Sequence, residues 1–360
     1  MDIFSLKTRI LSGPGSISFL GSLRAQKVFL VTDPYFVKSG MAEKILKATG
    51  AEEKSVFGKV TPDPTAELAA EGTVEFKRFR PDLLVALGGG SSLDCAKAIA
   101  YFSKLSVPFA AIPTTSGSGS EVTDFAILTH GGVKHPLVDK SMQPDYAILD
   151  SNLLESIPKN LIADAGFDVL SHALEAIAAR GAGRISNLFA REAFSLAFQN
   201  LPASYGGSLS ARQPVHEAAT LAGIAFNQAG LGLCHGISHT LGGIFHVPHG
   251  RLNAILLPAV LEVNEPAAGK AYAELARSAG LGGTADTVAL RNLKNGLFRL
   301  RHQLGLPETL QKAGVAPGEV VRNLDRIVES VLKDPCCDSN PVNVDGTLIR
   351  RVLEKVTGHV

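Results

Sequence analysis

Four of the chain's ten histidines fall in one stretch, GLCHGISHTLGGIFHVPHG (232–250): His235, His239, His246 and His249. Imidazole is the commonest metal ligand and the usual acid or base near neutral pH, so this crowding admits a metal site, a proton relay or both. A carboxylate and a further imidazole lie upstream in GFDVLSHALEAIAAR (166–180), which reads as a helix. Asp168 and His172 are four residues apart, which stacks them on one helical face, and His235 and His239 repeat that spacing. His249 stands between Pro248 and Gly250, where the chain turns. One carboxylate with several imidazoles and no thiolate suits a divalent ion of intermediate character: Fe2+, Zn2+, Mn2+ or Co2+. Spacing alone favours His235 and His239 as a ligand pair. Asp168 and His172 read equally well as a hydrogen-bonded pair on a helix.

A second kind of chemistry is written in glycine. LLVALGGGSSLDCAKAIA sets Gly88, Gly89 and Gly90 between a buried strand and a helix. Residues without Cβ let the backbone approach a ligand, and the helix start offers N–H groups to an anion. Ser91 or Ser92 is expected to cap that helix, with Asp94 in its first turn. The run is neither G-x-G-x-x-G nor a P-loop, because position 93 is leucine and no Gly-Lys-Ser/Thr follows. A second loop rich in hydroxyls and glycine, IPTTSGSGSEVTD (112–124), follows another apolar run. Either loop alone could be a simple connection. Two at the carboxyl ends of consecutive strands point to a bound ligand, because open α/β sheets bind there.

The elements that must position these groups are of two textures. Apolar runs at 28–33, 82–90, 107–115 and 146–150 alternate with helical spacing at 65–79 and 92–103. That repetition predicts a parallel sheet covered by helices, a Rossmann-like α/β domain over 1–155. From about 156 to 360 strand-like alternation disappears. Amphipathic stretches at 161–180, 186–201, 214–229, 265–279, 285–303, 318–333 and 346–357 predict an all-helical second domain.

Bulk properties narrow the partners. Lys and Arg (35) nearly balance Asp and Glu (34) with no basic run, which argues against nucleic acid. No apolar stretch is long enough for a membrane span, and the N-terminal MDIFSLKTRILSGPGS has no apolar core of a secretory signal. Cys95, Cys234, Cys336 and Cys337 lack framework spacing, and the adjacent pair would strain a mutual disulfide. A reducing, cytoplasmic setting is expected.

Taken in order, GGGSSLDCAK, PTTSGSGSEVTD, GFDVLSHALEA and HGISHTLGGIFHVPHG make the chain resemble the iron-dependent (group III) alcohol dehydrogenases over essentially its whole length. FSLKTRILSGPGS, TLAGIAFNQAGLGL and SNPVNVDGTLIRRVL are most similar to the branch that reduces propanal in bacterial microcompartments. The resemblance implies that Asp168, His172, His235 and His249 bind Fe2+, or alternatively Zn2+. It implies that His239 faces the nicotinamide side as a catalytic imidazole, and it gives His246 no role. For NAD(H), it implies Asp33 at the adenosine ribose, Gly89, Gly90 and Ser91 at the pyrophosphate, and Asp94, Thr114, Thr115, Ser118, Lys134 and Leu161 around ribose and nicotinamide. A carboxylate at Asp33 would disfavour a 2′-phosphate and so NADP(H).

Phe125 is read as a wall of a pocket for a small aldehyde or alcohol. The chain departs from the family at Asp164, in IADAG, and at Thr240, which follows the second histidine of HGISH. The implied reaction is hydride transfer between nicotinamide and a short aldehyde, in a homodimer or larger assembly, with microcompartment shell or lumen proteins as implied partners. The alternatives are a glycerol or 1,2-propanediol (lactaldehyde) dehydrogenase, a lyase similar to dehydroquinate synthase, and a non-catalytic scaffold. The lyase reading is disfavoured because only Arg180 and Arg184 supply positive charge near the metal-flanking segments.

Overall fold

The computed structural model describes residues 3–131 and 133–358. Residues 5–157 form one compact unit, and residues from Pro158 onward form another. Ile3 and Phe4 group with the second unit rather than with residues 5–155, and the Phe4 ring stacks on Phe189 at 5.6 Å.

The first unit runs β1 (Arg9–Ser12), β2 (Lys27–Val31), α1 (Pro34–Lys38), α2 (Met41–Ala48), β3 (Glu53–Phe57), α3 (Ala66–Phe79), β4 (Leu83–Gly88), α4 (Gly90–Ser103), β5 (Phe109–Pro113), β6 (Phe125–His130), β7 (Val133–Val138) and β8 (Tyr146–Leu149). Among the described residues six strands form a parallel sheet in the order β1-β8-β5-β4-β2-β3. Every residue of β4 and β5 is buried, as befits strands covered on both faces, whose side chains are apolar without alternation. The chain leaves β2 for β3 on one side and comes back to β4 on the other, which makes the β2/β4 boundary a topological switch point. The apolar runs expected as strands become β2, β4, β5 and β8. The short polar segments RILS (β1) and EKSVF (β3) escaped that reading, as did the antiparallel hairpin β6–β7.

One expectation fails at the glycine turn. Gly89, not a serine, is the N-cap of α4, and no side chain caps it. Gly88 has φ 148°, and a Cβ there would meet Ser92 Oγ at 2.4 Å, so the tight exit from β4 needs glycine.

The second unit contains α5 (Lys159–Ala178), α6 (Arg184–Tyr205), α7 (Leu209–Ala229), α8 (Leu233–Phe245), α9 (His249–Ser278), α10 (Asp286–Gln303), α11 (Pro317–Arg322), α12 (Leu324–Leu332) and α13 (Gly346–Thr357), with no strand among its described residues. α5 is buried all round from Gly166 to Ala178 and packs against α6, α7 and α9, as the central helix of a bundle must. α9 begins at His249, sixteen residues before the helix expected at 265–279. Pro258 and Pro266 lie inside it. An interior proline costs about 3 kcal/mol, and burial of Leu252, Ile255, Leu256, Val260 and Leu261 offsets that cost. The stretch expected as one helix over 318–333 is broken at Asn323 into α11 and α12. Among the described residues no helix is long and apolar enough to cross a membrane.

Candidate active site

Three helices of the second unit bring the metal-ligating side chains together. α5 projects Asp168 and His172, α8 supplies His235 near its start, and His249 is the first residue of α9. Asp168 Oδ1 lies 3.5 Å from His249 Nε2, 3.7 Å from His235 Nε2 and 3.9 Å from His172 Nε2. The donor atoms of Asp168, His235 and His249 all lie within 4.8 Å of one another. Asn253, one turn beyond His249, directs its Nδ2 at the same spot, 2.8 Å from Asp168 Oδ1, 3.2 Å from His249 Nε2 and 3.3 Å from His235 Nε2. An amide has two hydrogens to give. Three acceptor atoms aimed at one small volume fit a cation, and the nitrogen and oxygen donors suit Fe2+ or Zn2+. His249, with its side chain 32% exposed, is the open edge of an otherwise buried set.

The electrostatics follow from this crowding. Burial alone would raise the Asp168 pKa, but the surrounding imidazoles of His172, His249 and His235 hold it well below the carboxylate range. Burial likewise works against a charged His235, yet hydrogen bonds to Asp168 and Glu175 win and push it up to about 9. A metal arriving here therefore displaces a proton.

The spacing-based pairing of His235 with His239 is not what the fold makes. His239 turns away from Asp168, and its Nδ1 lies 2.9 Å from Asp334 Oδ2. Its ring stacks on that of His249 at 5.2 Å. The Asp334 carboxyl is pulled down to about 2, because its contact with His239 outweighs the cost of burial. His246 ends α8 with φ 56°, its N–H bonded to Gly242 O, a C-cap position.

The ligands are held from outside by further residues, of which sequence reasoning missed Glu175, Ser238 and Arg251. Glu175 Oε2 lies 2.6 Å from His235 Nδ1, which leaves Nε2 to face Asp168. The same carboxylate accepts the backbone N–H groups of Gly232, Cys234 and His235 and so caps α8. It lies seven residues after Asp168 and three after His172, on the same helical face, which was the available signal. Ser238 Oγ lies 3.3 Å from His249 Nδ1. Asp164 pairs with Arg251 through two contacts of 3.0 and 3.1 Å, tying α5 to α9 beside both ligand sets. Gly250 allows that approach, since a Cβ there would sit 2.0 Å from Asp164 O. Thr240 donates to Ser330 Oγ at 3.2 Å, a link between α8 and α12.

In the first unit the residues named for a dinucleotide gather at the carboxyl ends of β2, β4 and β5. Asp33 follows β2 at the switch point, and its Oδ1 caps α1 by accepting from Tyr35 and Phe36 N–H. Its Oδ2 lies 3.7 Å from where a Cβ on Gly88 would be. Cβ atoms at Gly89 and Gly90 would meet Thr115 and Ser118 at 3.1 Å, so the two loops run side by side. Thr114 N–H bonds to Gly88 O at 2.9 Å, and Ser91 lies in the uncapped first turn of α4.

Asp94 is turned inward. It accepts from Ser120 Oγ at 2.5 Å and Ile127 N–H at 3.0 Å, so it shapes the 120–127 segment. Lys134, on β7, pairs with Asp63 at 2.7 Å. Phe125 opens β6, where its carbonyl accepts from the buried Lys97. Leu161 belongs to the second unit, exposed in the first turn of α5.

Residues 7–151 match the family described as iron-containing alcohol dehydrogenase, and residues 162–357 match the Fe-containing alcohol dehydrogenase family, C-terminal. The chain is 38% identical to 1-propanol dehydrogenase PduQ of Citrobacter freundii, over 99% of this chain and 100% of that one. It is 35% identical to the NADPH-dependent butanol dehydrogenase of Clostridium saccharobutylicum, over 98% and 97%. The solved iron-containing alcohol dehydrogenase of Thermococcus thioreducens superposes with a TM-score of 0.90 at 34% identity, over 98% of this chain and 99% of that one.

Proposed function

The chain belongs to the iron-containing alcohol dehydrogenase family, and from that membership we propose that it interconverts a short aliphatic aldehyde, propanal above others, with its primary alcohol. NAD(H) is the hydride carrier in this reading, and a divalent ion, Fe2+ or Zn2+, is the resident metal. The observation that carries it is the convergence of Asp168 Oδ1, His235 Nε2 and His249 Nε2 on one volume, with His172 at its edge. When bound, the ion supplies Lewis-acid polarisation of a carbonyl oxygen, and the nicotinamide supplies the hydride.

The chain's own residues do the rest. Asp168, His172, His235 and His249 hold the ion, and Glu175 and Ser238 fix the ring orientations of His235 and His249. His239 gives its Nδ1–H to Asp334, which leaves Nε2 free to take or return the proton of the substrate hydroxyl. Gly89, Gly90 and Ser91 offer an uncapped helix start to the pyrophosphate. Thr114, Thr115 and Ser118 line the adjoining loop, and Lys134 and Leu161 complete the contacts. Asp94 acts by shaping that loop.

Cofactor choice rests on Asp33, because one curated relative is named for NADPH. A carboxylate at the end of β2 accepts ribose hydroxyls and repels a 2′-phosphate. Propanal as substrate is supported by the name of the Citrobacter relative, and Phe125 is the proposed wall of the pocket. Assembly as a homodimer or larger, with enclosure in a cytoplasmic microcompartment, belongs to the same proposal.

A lyase acting on a phosphorylated substrate is disfavoured on a specific ground. The basic residue nearest the ligands in sequence is Arg251, nearer than Arg180 or Arg184, and its guanidinium is paired with Asp164. Purified protein with NADH and a panel of propanal, ethanal, butanal and lactaldehyde tests the proposal. Net NADH consumption with the highest kcat/KM on propanal is expected. A lactaldehyde maximum would favour the polyol enzyme, and no NADH consumption would end the dehydrogenase reading.

A further inference from the structure

A second cluster of metal-binding atoms lies beside the first and shares none of its ligands. His239, Asp334 and Cys336 each offer one donor atom, and the three lie within 4.8 Å of one another. We infer that they form a second divalent-metal site, fitted to a thiophilic ion such as Zn2+.

The site is built rather than incidental. His239 stands on α8, while Cys336 belongs to the 3-10 turn at Pro335–Ser339 that follows α12 and Asp334 is the residue that caps it. Asp334 Oδ1 accepts the Cys336 N–H at 2.9 Å, which fixes the turn, and its Oδ2 is directed at His239 Nδ1. Cys337 Sγ anchors the turn from its buried side by donating to Val331 O at 3.2 Å. The turn can lie against α8 because position 236 is glycine: a Cβ there would meet Cys337 Sγ at 2.6 Å. His239 and Asp334 keep side-chain exposures of 17% and 14%, and Cys336 is likewise half-buried, so none of the three is sealed in the core.

The donor chemistry separates the two sites. Asp168 and its imidazoles give only oxygen and nitrogen, whereas this cluster adds sulfur, which selects Zn2+ over harder ions. Three protein ligands leave a fourth position for water. On binding, the thiol loses its proton to solvent and the Nδ1 proton moves to Nε2, so one proton is released per ion. That tautomer removes the free Nε2 acceptor. Occupancy would therefore inhibit turnover, a consequence that rests on the role proposed for His239, whereas the site itself does not.

Anaerobic Co2+ titration of the full chain tests the site without reference to activity. A thiolate-to-cobalt charge-transfer band is expected in the wild type, retained in Asp168→Asn and Cys337→Ser and lost in Cys336→Ser. Absence of the band from the wild type, or its survival in Cys336→Ser, would overturn the inference. Zn2+ protection of Cys336 against alkylation, mapped by peptide mass, tests the same ligand without a variant; equal labelling with and without Zn2+ would count against it.

Discussion

Glu175 offers the sharpest test of how the metal ligands are held. Its carboxylate, with only 3% of the side chain exposed, accepts one imidazole N–H and three backbone N–H groups at the start of α8. In Glu175→Gln the amide nitrogen must face either Cys234 N–H or the donors gathered at Oε2, so a buried N–H loses its acceptor and His235 loses its charged partner. Removing one member of a buried charged network costs about 3–5 kcal/mol, and loss of a carboxylate behind a ligating histidine weakens metal binding about 10- to 100-fold. Denaturant unfolding of the metal-free protein reads the first quantity, and competition with a chromophoric chelator reads the second. A Glu175→Gln protein as stable as the wild type, binding metal within about twofold of it, would refute the reasoning.

Three further outcomes follow from the geometry. Asp33→Ser keeps a side chain able to cap α1 but removes the charge, so kcat/KM with NADPH should rise relative to NADH; an unchanged ratio would remove Asp33 from the ribose site. His239→Ala should lower turnover by about 100-fold or more while the single equivalent of Fe2+ loaded at Asp168, His172, His235 and His249 is retained; loss of that ion would make His239 one of its ligands. Metal affinity should depend on pH with a definite sign. His235 is raised to about 9 in the metal-free protein and must lose that proton to ligate, so affinity climbs roughly tenfold per unit as pH rises toward 9 and then levels. The same raised pKa stabilises the metal-free fold fully below its unfolded value and less as pH passes 9. A flat affinity profile from calorimetric titration would contradict both.

The parts legible in sequence were those with local signatures. The glycine turn after β4, the hydroxyl-rich loop after β5 and the histidine-rich α8 each announce themselves within about fifteen residues. The parallel sheet was readable because buried strands are continuous apolar runs, whereas β1 and β3 carry too few apolar residues to register. α9 was hidden by Pro258 and Pro266, which local rules read as breaks but tertiary burial overrides. Asp334 lies 95 residues from His239, and Asn253 sits inside an apolar run, so nothing nearby in sequence marks either one. The choice between His239 and His249 as ligand was likewise closed to spacing. α8 presents His235 and His239 to different partners, and the turn at Pro248 swings His249 to Asp168.

The claim on which the account stands is that four side chains from α5, α8 and α9 hold one divalent ion that the reaction needs. NADH oxidation with propanal is measured on anaerobically prepared protein, then after chelation, then after one equivalent of Fe2+. The account predicts turnover that is lost on chelation and restored by that single equivalent, with no restoration in Asp168→Asn. Turnover indifferent to chelation, or restored equally in the variant, would contradict it.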